Sequence, residues 1–355
     1  MLRPKTFLLA LALVGAGHSL AAPSPAIQSP SPDARYAYGS ARFGRFVADS
    51  YRLTGGNPAD FGRWLSAAYA SHEDRLAGRE ALPFEEAMDA RTRELAAARM
   101  PAARARLERD TAAWLHRVVK QTIPRFSLER GYEFTSAAGT GERQCLLQSV
   151  LIAALLQKMG VSAGVDMVWA NPQGERSNMG HAVTVLRLSD GRDLLVDASD
   201  PTPFIAHQGL FARVAGGYRF LQPQYAPDAR ISGYADLQGR RFTLEQVRPL
   251  DAAYLASQFN YYRGERTPGG FFDPHKTPAG LAASARFFRA ALQDNPANPL
   301  ATYALGQVLN RLGQRDEARR FLARGMALYT QQGYVPQGPR DAYAAALKAA
   351  RKPGT

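Results

Sequence analysis

Three side-chain types in the middle of this sequence could do chemistry together: a thiol, an imidazole and a carboxylate. The thiol is Cys145, the one cysteine among 355 residues. It stands in GERQCLLQSVLIAALLQKMG, after a Gly/Thr/Ser loop and at the head of an apolar stretch that reads as a buried helix ended by Gly160. Thr140 is a candidate cap, which puts Cys145 in about the first turn. The thiolate is the nucleophilic form, and a helix N-terminus favours the anion. The backbone N–H of Cys145 is one of the orphan donors at that end and can serve an oxyanion.

A nucleophilic thiol needs a base, and the base needs an orienting group. Of the six histidines, His18 lies in the N-terminal leader, His72 and His116 on helices before the thiol, and His207 and His275 in loops. His181 opens the strand pattern HAVTVLRL, and the next strand pattern, DLLVDAS, carries Asp197, with Asp200 just beyond it. The turn between them decides which carboxylate meets the imidazole. A three-residue Ser189-Asp190-Gly191 loop with Gly191 left-handed sets Asp197 opposite Val183, on the His181 face and one diagonal step away. A two-residue Asp190-Gly191 loop sets Asp200 directly opposite His181 and turns Asp197 to the other face. Singly, each residue has an ordinary explanation, since an Asp before proline commonly forms a turn. The ordered set points to a thiol that can be activated as a nucleophile. In that arrangement His181 takes the proton of Cys145, and Asp197 or alternatively Asp200 orients the imidazole.

The elements that must position these groups follow from the hydrophobic pattern. Residues 36–120 read as amphipathic helices, divided at Pro101 and stopped by Pro124. Residues 125–143 read as irregular loop. After the Cys145 helix the period changes to two: VSAGVDMVWA and HAVTVLRL read as strands joined by the polar loop NPQGERSNMG. Shorter strands follow in DLLVDAS, GLFARVAGGYRFLQP and GRRFTLEQV. One central helix followed by an antiparallel meander predicts an α+β fold. From about residue 250 the pattern is helical again.

The N-terminus stands apart. MLRPKT carries Arg3 and Lys5, FLLALALVGA is apolar, and Ser19-Leu20-Ala21 is a small-x-small site. Residues 1–22 are therefore expected to be a signal peptide, and the Pro/Ser stretch 23–34 a linker. No later stretch is apolar and long enough to span a bilayer. The expected product is a soluble exported protein, periplasmic or secreted, with residues 35–250 as one domain and 251–355 as a second, helical one. An exported chain that uses cysteine structurally ordinarily carries an even number. The formal charge of +13 comes largely from Arg spread over helices, with no basic patch on a recognisable nucleic-acid module. No HExxH, multi-Cys cluster, calcium loop or phosphate-cradling loop is present, so no cofactor or metal is expected.

CLLQSVLIAALLQKMGVSAGVDMV, then GHAVTVL, then LLVDAS resembles the transglutaminase-like superfamily, relatives of papain-type cysteine proteases. The resemblance covers roughly residues 110–205. It implies a core in which a helix with Cys at its N-terminus packs on an antiparallel sheet, and peptide or protein amides as substrates. It also implies the triad Cys145, His181 and Asp197. VDAS matches the family's Asp position, while DPT, the family's usual spelling, stands literally at Asp200. The family often draws an oxyanion donor from the segment before the cysteine, where Gln144, Tyr132 and loop amides are candidates. Val183 replaces the usual aromatic after His-Ala, which implies a smaller wall to the site. ALQDNPANPLATYALGQVLNRLGQRDEARRFLARGMAL resembles the tetratricopeptide repeat, at Leu305-Gly306, Gly313 and Asp316-Glu317-Ala318. Such a tail implies a docking surface for a protein partner.

Overall fold

The computed structural model describes residues 35–71 and 82–351. The expected signal peptide and linker, with His18, and also His72 lie outside the described residues. Among those described, no helix is long and apolar enough to cross a membrane.

The N-terminal third is helical, as α1 (Ala41–Thr54), α2 (Ala59–Ser71), α3 (Phe84–Ala97) and α4 (Pro101–Thr122). The Ser40 hydroxyl caps α1 by accepting from the Phe43 amide, and Pro101 opens α4, where its missing N–H costs nothing. Residues 125–143, expected as loop, are ordered instead. They form β1 (Arg125–Phe126), α5 (Phe134–Thr140) and β2 (Glu142–Arg143), with β1 and β2 paired in parallel. Two-residue strands and a seven-residue helix are too short to leave a periodic signal.

Next comes α6 (Cys145–Lys158). Every residue from Cys145 to Gln157 is buried, as expected of a helix that is apolar all round. Thr140 is not its cap: it ends α5, and Gly141 closes that helix in the left-handed region at φ 64°. Gln144 holds the N-cap position of α6 without a side-chain capping bond, so Cys145 is the first helical residue.

The sheet that faces α6 is β3 (Ser162–Ala170), β4 (Arg176–Arg187), β5 (Asp193–Val196), β6 (Gly209–Val214), β7 (Gly217–Tyr225) and β8 (Ile231–Asp236), with short β9 (Arg241–Phe242) and β10 (Val247–Arg248). The order is β6-β3-β4-β5-β8-β7, and β6 also pairs with β7. The strands therefore close into a ring, whose β5–β8 junction is a single residue pair, Asp193 with Ile231. Alternation along β4 gives each face its own core. Ala182, Thr184 and Leu186 face α6, where Ser149 Oγ donates to Ala182 O and Thr184 Oγ1 donates to Ser149 O, both at 3.0 Å. Val183 and Val185 face the ring interior with Val168, Leu195 and Leu210. So Val183 is interior packing and not an outer wall of a site.

After the ring the chain is helical: α7 (Ala252–Glu265), α8 (Pro278–Asp294), α9 (Pro299–Arg311), α10 (Arg315–Gln332) and α11 (Gln337–Arg351). Asp251, Thr277 and Asn298 cap α7, α8 and α9 through their side chains. A Cβ on Gly306 would come within 2.8 Å of Leu322, so glycine lets α9 and α10 approach closely. The fold is thus α+β with a helical C-terminal region. One hydrophobic cluster runs through Phe46, Leu155 and Phe220 and on through Phe259, Tyr262, Phe288 and Leu305. Residue 250 marks a change of element type, not a break in packing.

Candidate active site

The β4–β5 register decides the choice between the two aspartates. Thr184 pairs with Val196 and Arg187 with Asp193, which is the three-residue Ser189-Asp190-Gly191 turn. Gly191 is left-handed at φ 81°, as that turn requires. Asp197, one residue past β5, then reaches His181: the imidazole Nε2 lies 2.8 Å from Asp197 Oδ2. Asp200 is elsewhere. Its carboxylate accepts from the Thr202 amide and hydroxyl at 2.9 and 3.0 Å, and its carbonyl accepts from Lys120 Nζ at 2.6 Å and His116 Nε2 at 3.0 Å.

His181 does not open its strand. It pairs with Val168 inside β4, which begins at Arg176 because Arg176 pairs with Ala170 across a bulge. The expected loop of 171–180 is thereby shortened, and its second half is strand. Met179, buried and left-handed at φ 62°, kinks this strand just before Gly180 and His181.

Cys145 heads α6 and is only 4% exposed. Its sulfur lies 3.9 Å from the Gly180 carbonyl and 3.9 Å from the Tyr262 hydroxyl, and that hydroxyl also donates to Gly180 O at 3.3 Å. Burial works against a charged His181, but hydrogen bonds and charge from Asp197 and Cys145 outweigh it and push its pKa up to about 10. Burial also opposes the charge on Asp197, and the two imidazole donors and the Ser199 amide more than offset it, holding this carboxyl well below the usual range. Nε2 is committed to Asp197, which leaves Nδ1 as the ring nitrogen through which His181 can act on the thiol. This is the arrangement that a thiolate–imidazolium pair needs.

Two residues escaped the sequence reading. His207, placed in a loop and set aside, puts its Nε2 2.9 Å from the same Asp197 Oδ2. Tyr262 comes from α7, more than a hundred residues after the thiol it touches. No local spacing signals either contact. Of the two oxyanion candidates, Gln144 is buried beside the nucleophile with its Oε1 lacking a hydrogen-bond partner. Tyr132 is one ring removed: it stacks on Tyr262 at 5.9 Å and 17°. Beyond Tyr132 lies an open cleft of about 600 Å³ lined by Ser127, Arg130, Arg263, Arg266 and Phe287.

The supports are as ordered as the site. Asp197 Oδ1 accepts from the Ser199 amide at 2.8 Å. The Ser199 hydroxyl accepts from Gln148 Nε2 at 2.7 Å, and Gln148 Oε1 accepts from Arg143 Nε at 2.9 Å. Among the described residues, the ligating atoms of His181, Asp197 and His207 converge within 4.8 Å. A metal ion there would require both Nε2–H groups, now donating to the carboxylate, to give up their protons. Comparison with family models, with curated proteins and with solved structures finds no match.

Proposed function

We propose that this chain is an exported cysteine amide hydrolase or acyltransferase of transglutaminase-like type, acting on peptide or protein amides through a thioester. The observation that carries the reading is His181 held by Asp197 at 2.8 Å, with Cys145 at the head of α6 in contact with Gly180, the residue before that histidine. A cysteine at the head of a buried helix packed on an antiparallel sheet supports the family resemblance. The paired helices α7 to α10 support the tetratricopeptide-like reading of the tail, which would meet a protein partner.

In this mechanism the Cys145 thiolate attacks the carbonyl carbon, and the Cys145 amide N–H faces the developing oxyanion. His181 then protonates the departing amine, leaving an acyl thioester. Water or a second amine, deprotonated by His181, attacks that thioester and regenerates the thiol. Asp197 keeps the imidazole in the tautomer that faces the sulfur. Hydrolysis and transamidation differ only in which nucleophile enters.

A second reading, a catalytically silent binding module, has one observation in its favour: Gly180 and Tyr262 cover a nearly buried sulfur. Iodoacetamide alkylation across pH separates the two. An ion-paired thiol is modified rapidly well below pH 8.5, and Cys145→Ser abolishes the label. A thiol that reacts only near its ordinary pKa, or only after unfolding, would sink the enzymatic reading. Incubation with a casein and a fluorescent amine then tells transfer from hydrolysis.

A further inference from the structure

We propose that His207 is a positioning residue that fixes Asp197 for His181, so that the site works as Cys–His–Asp–His. This rests on the proposed cysteine chemistry. Asp197 accepts three hydrogen bonds: the Ser199 amide on Oδ1 at 2.8 Å, and His181 Nε2 and His207 Nε2 on Oδ2 at 2.8 and 2.9 Å. His207 is the donor that neither reacts nor belongs to the Asp197 turn. Its place is itself secured, because its carbonyl accepts from the Tyr225 hydroxyl at 2.7 Å and its amide donates to Ile205 O at 3.2 Å. The two imidazoles stand 5.4 Å apart, too inclined to stack face to face.

The chemistry of His207 follows from its surroundings. Nε2 faces a carboxylate and must donate, while Nδ1 is buried without a partner. The donation from Nε2 to Asp197 is thus the ring's one polar contact, and it is directed at the carboxylate. It gives Asp197 a fixed donor from outside the reacting pair. Beyond these, the titratable groups that act on or feel the carboxylate are Cys145 through His181, and His116 and Lys120 on α4. Without the third donor, Oδ2 would be held only by His181 itself and rotation of the carboxylate opposed otherwise only by the Ser199 amide on Oδ1, so the His181 ring would lose an independent anchor.

The test compares His207→Leu, which removes the donor, with His207→Gln, whose amide can still donate. Two quantities are read: the tautomer and titration of His181 by ¹⁵N-histidine NMR, and the pH profile of Cys145 alkylation. In the Leu variant the His181 titration is expected to fall by about one pKa unit or more. Alkylation at neutral pH should fall roughly tenfold, the size of a lost outer-shell partner in comparable sites. The Gln variant should recover both to within about threefold of the parent. The inference is overturned if the Leu variant keeps the parental His181 titration. It is equally overturned if Leu and Gln lose reactivity alike and both melt markedly lower, which would mark a purely structural residue. Should the parent thiol itself prove unreactive, the enzymatic reading fails, while the NMR comparison still judges His207.

Discussion

Asp197 is the residue on which the site turns. A carboxylate 3% exposed can remain ionised only if its lone pairs are met, and here the partners are two imidazoles and an amide. Asp197→Asn should lower Cys145 alkylation at neutral pH by about 100-fold, in the range of a lost base function. Asp200→Asn should leave that rate within about twofold of the parent, because Asp200 faces Thr202. The pH behaviour has a definite sign. The folded pKa of His181 lies above its ordinary 6.5, so its contribution to stability is complete below 6.5 and is lost as pH rises through about 10. Asp197 has a depressed pKa, so its contribution is present above its ordinary 3.8 and is lost only in acid. The melting-temperature gap between the parent and His181→Ala should therefore be widest near about pH 5–6 and narrowest near about pH 10. A gap independent of pH would contradict the charged pairing. Both members of this pair were legible in the sequence, because turn chemistry fixes register and register fixes which Asp shares a face with His181. His207 was not, since a loop residue joins a site only through tertiary folding.

Between elements, the site is held by a latch from the start of α6 to the turn after β5. Arg143 donates to Gln148, Gln148 to Ser199, and the Ser199 amide to Asp197. Gln148→Leu would leave the buried Nε of Arg143 without its acceptor, though Nη1 still reaches Ile123 O, and would release the exposed Ser199 hydroxyl to solvent. The cost is expected to be about 1–3 kcal/mol in urea denaturation, together with slower alkylation of Cys145. Alkylation unchanged in a destabilised variant would show that the latch serves the fold alone. At this scale the sequence was readable wherever a period repeats. The buried run of α6 and the alternation of β3 and β4 were plain, whereas β1, α5 and β2 were too short to register. Residues 176–180 resembled a loop, and four of the five are exposed; Arg176 pairs with Ala170, and 177–180 bulge out before the pairing resumes at His181. Ring closure was hidden for a different reason. β6–β3 and β5–β8 are non-sequential pairings, written in no local pattern.

At the scale of the molecule, the helical tail is part of the site's own scaffold. Tyr262 touches Cys145, Arg176 of β4 lies over the rings of Trp169 and Tyr334, and the hydrophobic cluster passes residue 250 without a gap. Equilibrium unfolding should therefore show one cooperative transition, with residues 35–250 alone failing to give it. Two resolved transitions would mean that the tail folds independently. The single-pair junction of β5 with β8 bears on how this molecule breathes. Tyr234 Oη of β8 donates to Asp193 of β5 at 2.7 Å, so a side chain stitches a seam that backbone bonds leave nearly open. Amide hydrogen exchange should then be fastest, within the ring, along β5 and β8, and slowest where β3 and β4 pair without interruption, from Ser162 with Arg187 to Val168 with His181. The seam's first strand leads directly into Asp197, so the easiest local opening of the ring is also the one that would loosen the carboxylate from its histidines.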